Sequence, residues 1–201
     1  GICYQGRVGR VDDNYTNLDT RTIKGHDIGV YYDFETKWGK FDIKYVGAFL
    51  DEYEQKAGAS ASALVAAKAA GTLPASVPVV GFASLKGIDG NPERKDTVRV
   101  DWTYGDWKVA ATSLHYDDFT QILSDGREFT IDSMTTYNMN VSYKFTMFKD
   151  IASRARLGIN NLTDERAPLA DDSFGYFADQ HRDLGRYYYV DFQFDLSGFT
   201  Q

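Results

Sequence analysis

The sequence predicts an all-β protein, an antiparallel transmembrane β-barrel wall, and three observations carry that expectation. In the closing run, Tyr188, Val190, Phe192, Phe194 and Leu196 stand at every second position, with Asp191, Gln193 and Asp195 between them. The same two-residue period recurs along the chain, the signature of strands with two unlike faces. Aromatic residues crowd one end of these segments, as in Phe34, Trp38 and Phe41, or Trp102, Tyr104 and Trp107, or Tyr143, Phe145 and Phe148. The alternate positions carry charge: Asp27, Asp33, Lys44, Arg99, Asp101, Lys144, Arg156 and Asp191. A dry sandwich core would hold each charge at a steep desolvation cost. A wet or plugged lumen behind a lipid-facing wall would not.

Counting parity gives seven strands. The first covers residues 21–35, with Ile28, Val30, Tyr32 and Phe34 on one face and Asp27, Gly29, Tyr31 and Asp33 on the other. A turn at 36–40 leads to the second, where Phe41, Ile43, Tyr45, Gly47 and Phe49 oppose Asp42, Lys44, Val46 and Ala48. A long insertion, 52–93, contains an Ala-rich stretch at 57–71 that fits a short helix, too short and too charged at Lys68 to cross a membrane. Insertions of this length are usually functional or disordered. Val98, Val100, Trp102 and Tyr104 mark the third strand, and Gly105-Asp106 a tight turn. The fourth, 107–116, alternates poorly, since Val109 and Ala111 keep one parity and Leu114 and Tyr116 the other. A β-bulge near Thr112 would reconcile them. After a loop at 117–133, Tyr137, Met139, Val141, Tyr143 and Phe145 form a clean fifth strand. Leu157 and Ile159 mark the sixth, and the loop 164–184 precedes the closing strand. Short turns alternate with long loops, the arrangement of periplasmic turns and external loops in outer-membrane barrels.

Composition narrows the function classes. The 201 residues include 14 Tyr, 13 Phe and 18 Gly, with only 4 Pro, a balance that favours strands. Mean hydropathy is −0.42, which would suggest a soluble protein were barrel strands not half polar. A net charge of −7 offers no cationic stripe to neutralise phosphates, so a nucleic-acid partner is not expected. Cys3 is the single cysteine and cannot form an internal disulfide; it either pairs with sequence beyond this chain or is an inert thiol. Gly1 is not an initiator Met and no signal-peptide pattern follows it, so the chain is expected to be part of something longer. No Gly-x-Ser-x-Gly, His-Glu-x-x-His or phosphate-cradling loop occurs, and neither catalysis, a cofactor nor a resident metal is expected.

Several segments carry a resemblance. They are 131–145, the run Ala155-Arg156-Leu157-Gly158-Ile159-Asn160-Asn161-Leu162-Thr163-Asp164-Glu165, the Gly185-Arg186-Tyr187-Tyr188-Tyr189 start of the closing strand, and Lys24-Gly25-His26-Asp27. Together they resemble the C-terminal β-barrel portion of TonB-dependent outer-membrane receptors, over nearly the whole chain apart from its loops. That resemblance implies about seven or eight strands of a 22-stranded, plugged barrel of the bacterial outer membrane. It implies TonB-energised uptake of a scarce ligand such as a ferric siderophore, cobalamin or an oligosaccharide. Residues 1–201 would be wall only, with lipid and lipopolysaccharide outside and the plug, the remaining strands and TonB contacted through missing sequence. Tyr188, Val190, Phe192, Phe194 and Leu196 form the implied closing-strand assembly signal, which departs from the family in having Leu196 where Phe or Trp is usual. The alternative is a small stand-alone porin or barrel enzyme, which would need an even strand number. A lipocalin-like binder is apolar inside, the reverse of this charge pattern.

Candidate ligand contacts follow from position. Arg156, Asn160, Tyr187 and Tyr189 should face the lumen near the external rim, where they either reach a ligand or hydrogen-bond to the plug and neighbouring strands. Phe174, Tyr176 and Phe177 either stack on a ligand or pack the loop against itself. His181 and Arg182 add hydrogen-bonding groups to that loop. With Asp171, Asp172, Asp179 and Asp183 nearby, His181 either joins a cation site or sits in a solvated acidic loop. The pairs Asp117-Asp118 and Asp171-Asp172 either bridge divalent ions to lipopolysaccharide or are simply solvated.

Overall fold

The computed structural model describes residues 9–10, 20–74, 77, 79, 83–123, 125–147 and 151–195. Cys3, Phe148 and Leu196, singled out above, lie outside them. The period-2 segments form long strands: β1 (Arg21–Thr36), β2 (Gly39–Gln55), β4 (Arg94–Tyr104), β5 (Trp107–Tyr116), β8 (Met134–Met147), β9 (Ile151–Asn160) and β10 (Tyr187–Phe194). They pair antiparallel in the order β1-β2-β4-β5-β8-β9-β10. The protein is thus all-β around one large antiparallel sheet, and β1 and β10 are its open edges. A two-residue strand, β3 (Ala83–Ser84), pairs with the end of β2. The insertion's Ala-rich stretch is a helix, α1 (Ala59–Ala69). Among the described residues no helix is long and apolar enough to cross a membrane, which bears only on helices.

Residues directly opposite in an antiparallel pair share a face, so register tests the two-faced reading. Tyr32 pairs with Ile43 and Ile43 with Val100. Val109 pairs with Val141, Val141 with Leu157 and Leu157 with Val190. On the other face Lys44 pairs with Arg99, Ser142 with Arg156 and Arg156 with Asp191. Across these pairs the apolar and polar sets stay on opposite faces. Large side chains of the apolar face stand bare, and the most buried positions of the wall are small or polar. Tyr32, Leu157, Val190 and Phe192 are 61%, 56%, 61% and 61% exposed, whereas Asp101 and Ser142 on the polar face are 4% and 6% exposed. Arg99 closes on Asp101 with Nε donating at 2.6 Å, and Lys108 approaches the same carboxylate at 3.0 Å. The buried Asp101 carboxylate is therefore satisfied by pairing along the wall.

Connections sort by length onto two ends. The β1–β2 turn needs Gly39 at φ +116°, where a Cβ would lie 2.4 Å from the Thr103 carbonyl oxygen, so no other residue fits there. Around these short turns the aromatic residues touch: Phe34 stacks on Phe41 at 5.0 Å, and Trp107 meets Tyr143 at 4.6 Å. Trp102 Nε1 donates to the Trp38 carbonyl at 2.7 Å. At the opposite end lie the insertion, the 161–186 loop and a separate hairpin, β6 (Phe119–Ile122) with β7 (Glu128–Ile131). That hairpin fills the segment expected to be a plain loop.

One expectation is corrected. β5 has no bulge at Thr112, because its register with β4 and β8 runs unbroken from Trp107 to Tyr116. The parity change is real and has another cause: Leu114 and Tyr116 occupy the polar face, where the loop cluster covers them. The irregularity in the sheet falls instead between Lys24 and Gly25.

Candidate functional site

The Asn160-Asn161-Leu162-Thr163-Asp164-Glu165 run works as a hinge of hydrogen bonds. Asn161 and Asp164 adopt left-handed backbone, φ 54° and 60°, a conformation that Asn and Asp tolerate best after Gly. The Asn161 side chain accepts from the Glu165 amide at 2.9 Å and donates to the Glu165 carbonyl at 2.7 Å. Its own amide donates to Asn138 Oδ1 on β8 at 2.9 Å. Asp164 Oδ1 accepts from the Arg186 amide at 2.7 Å, so the two ends of the long loop are tied together where β9 exits and β10 begins. Arg166 Nε donates to Asp183 Oδ1 at 2.6 Å, and the Ala167 amide donates to the same oxygen at 3.0 Å. The guanidinium and then the amide hold the Asp183 carboxyl at about 2, well below its usual range.

Within that frame the loop folds back onto the β6–β7 hairpin. Phe119, Ile131 and Met134 are 2%, 0% and 4% exposed, and with Phe177 edge-on to Phe119 at 5.1 Å they form the apolar centre of the loop end. Gln121 and Asp171 exchange hydrogen bonds, side-chain amide to carbonyl at 2.8 Å and backbone amide to side-chain oxygen at 2.9 Å. Lys95 Nζ reaches Gln180 Oε1 at 2.6 Å.

His181 is 2% exposed. Its ring stacks on Phe119 and meets Tyr116 edge-on, both at 6.0 Å. Neither ring nitrogen has a hydrogen-bond partner. Burial, then the nearby Lys95 ammonium, push this imidazole below its ordinary pKa, so it is neutral at physiological pH. Neither His181 nitrogen is bonded to a carboxylate. Gln121 holds Asp171 through its backbone, Asp183 is bonded to Arg166, and the charge that His181 feels is positive. Among the described residues no group of three or more His, Cys, Asp or Glu is placed to hold a metal.

A cleft of about 350 Å³ opens beside His181 on the polar face, between the loop and the upper ends of β5, β8, β9 and β10. The structure brings Asn160, His181, Arg182 and Tyr187 together on its lining. Tyr189 lies lower, its ring across Gly158, where a Cβ would be 2.2 Å from Cζ; it fills a gap in the wall. Arg156 is lower still, opposite Asp191. Phe174 is 72% exposed and pairs loosely with Tyr176 at 6.2 Å, away from the cleft. Phe177, which could have stacked on a ligand, packs the loop instead. The sequence reading missed Asn138, Gln180 and Leu114. For Leu114 a signal existed, the parity change along β5. Gln180 carried none, because its position depends on a contact with Lys95.

No protein-family model matches this chain, and comparison with curated proteins returns no match.

Proposed function

We propose that this chain is wall from the C-terminal portion of a TonB-dependent receptor in the bacterial outer membrane, serving energised uptake of a scarce small-molecule ligand. A ferric siderophore, cobalamin or an oligosaccharide are the classes the resemblance implies. The reading rests on one observation above the others: large apolar side chains of one sheet face, among them Tyr32, Leu157, Val190 and Phe192, stand bare. In water a sheet does the opposite, since burying apolar area contributes roughly 25 cal/mol per Å². Lipid as the outer solvent removes the contradiction.

The apolar band has the right extent. Tyr137 to Phe145 spans eight residue steps, about 27 Å along the strand at ~3.4 Å each. Tilted by ~40°, that covers about 20 Å, close to the ~25 Å apolar band of such barrels. Above it the outer face turns polar, where His115 bonds Arg94 at 3.0 Å and Thr135 at 2.8 Å. The open β1 and β10 edges fit a partial wall whose neighbours are further strands, since unpaired edges are not tolerated in lipid. In this reading lipid and lipopolysaccharide cover the outside, the plug fills the inside, TonB acts through the plug, and the wall performs no chemistry.

Fractionating cells that express the full-length protein tests the proposal. It should sediment with outer membranes and show heat-modifiable migration after detergent extraction. Recovery in the soluble fraction would defeat the membrane reading. Residues 1–201 expressed alone should aggregate or require detergent, and a monodisperse, heat-modifiable monomer would favour a small porin instead.

A further inference from the structure

We propose that the cleft beside His181 binds a small hydroxylated carboxylate, its acid group held by Arg182 and its hydroxyls by the amide and imidazole groups around it. This inference rests on the outer-membrane reading for its biological setting but not for its chemistry. Three observations carry it. The first is His181 itself: two buried, unpartnered ring nitrogens bordering a cavity. A buried polar atom left without a partner is costly, and a neutral imidazole offers one donor and one acceptor to whatever enters.

The second is charge. The chain holds 29 Asp and Glu residues, yet no carboxylate side chain lines this cleft among the described residues. Arg182 does line it, and Lys95 stands behind Gln180 and over the Tyr116 ring at 5.6 Å. Asp183, the nearest acid in sequence, is occupied by Arg166. The local field therefore favours an anion in a chain that is otherwise acidic.

The third is the mixture of neutral groups. Thr136, Asn160 and Tyr187 line the cleft with no side-chain hydrogen bond to other described residues, and the Asn138 amide nitrogen is likewise uncommitted. They present donors and acceptors together, as hydroxyl groups require. Leu114, Met134 and Leu184 provide an apolar floor for a carbon skeleton. The cavity, about 350 Å³, is of small-molecule size.

Three probes with one six-carbon hydroxylated skeleton isolate the charge: gluconate, sorbitol and glucamine, titrated calorimetrically into the full-length protein in detergent at neutral pH. Gluconate should bind about tenfold or more tighter than sorbitol, the order expected of one charge-assisted contact, and glucamine should not bind. Arg182→Gln, at an exposed loop position, should abolish the preference for gluconate while leaving sorbitol unchanged. Equal binding of gluconate and sorbitol would overturn the proposal. So would binding of glucamine, a gluconate preference that survives Arg182→Gln, or no binding of any probe. Fractionation separates the two readings: an outer-membrane protein that binds none of the probes loses this site and keeps its wall, whereas a soluble protein that prefers gluconate does the reverse.

Discussion

The strand wall and the loop end obey opposite packing rules within one chain. Along the wall, large apolar side chains such as Val190 and Phe192 are both 61% exposed, and the buried side chains are small or polar, Ala110 at 1% and Asp101 at 4%. At the loop end Phe119, Ile131 and Met134 close into an ordinary apolar core with His181. A protein normally applies one rule throughout, because one solvent surrounds it. Under the proposed outer-membrane reading these two rules answer to two solvents, and β5 shows the border. Val109 faces outward below it, whereas Leu114 and Tyr116 face inward above it, under the loops.

The largest expected effect targets the loop end. Phe119→Ala should cost about 3–5 kcal/mol, as for a fully buried aromatic, and hydrogen exchange should locate the loss in residues 161–186. Equal loss of protection along β8 and β9 would break the comparison by making wall and loops one cooperative unit.

Leu157→Arg probes the wall. At a water-facing position 56% exposed, the change would cost within ~0.5 kcal/mol. Facing lipid near mid-band, it should cost about 2–4 kcal/mol. The yield of heat-modifiable protein in the outer membrane distinguishes the two, and normal assembly of the variant would remove the two-solvent argument.

Asn161→Ala should destabilise the loop hinge by about 1–3 kcal/mol, through two lost side-chain hydrogen bonds and a left-handed backbone. Asn161→Gly keeps the backbone freedom and should recover roughly 1 kcal/mol of that. Chemical denaturation monitored at the loop separates the terms, and identical behaviour of the two variants would assign the whole effect to the hydrogen bonds.

The smallest effect is with pH. The folded pKa of His181 lies below the ordinary imidazole value, so the unfolded loop binds the proton more readily. The stabilisation is complete above the ordinary value and is lost as pH falls through the lowered folded one. Asp183, held at about 2, follows the same sign further down. Its contribution is complete above the normal carboxylate range and disappears as pH approaches about 2. Proteolysis of the loop should therefore accelerate in mild acid, and His181→Phe, which keeps the ring stacking, should flatten the first of these steps. Acceleration that persists in His181→Phe would assign the sensitivity to another group.

The wall was legible because its information is local. Side chains alternate with a period of two in any strand, so Val30, Ile43, Val100, Val141 and Leu157 declare a shared face before pairing is known, and the turns at Gly39 and Gly105 declare the neighbours. The Asn161 hinge was visible as a motif, though its hydrogen bonds were not. Only the tertiary structure could decide the loop end. His181 meets Phe119, 62 positions earlier in the chain, and Gln180 meets Lys95, 85 positions earlier. Irregular segments have no period to relate such residues, so their partners follow from where the sheet delivers the strand ends. For the same reason Phe174 and Phe177, three residues apart and alike in type, part company. One stands 72% exposed and the other packs edge-on against Phe119, a choice made by the hairpin beneath them and by nothing in their own stretch of sequence.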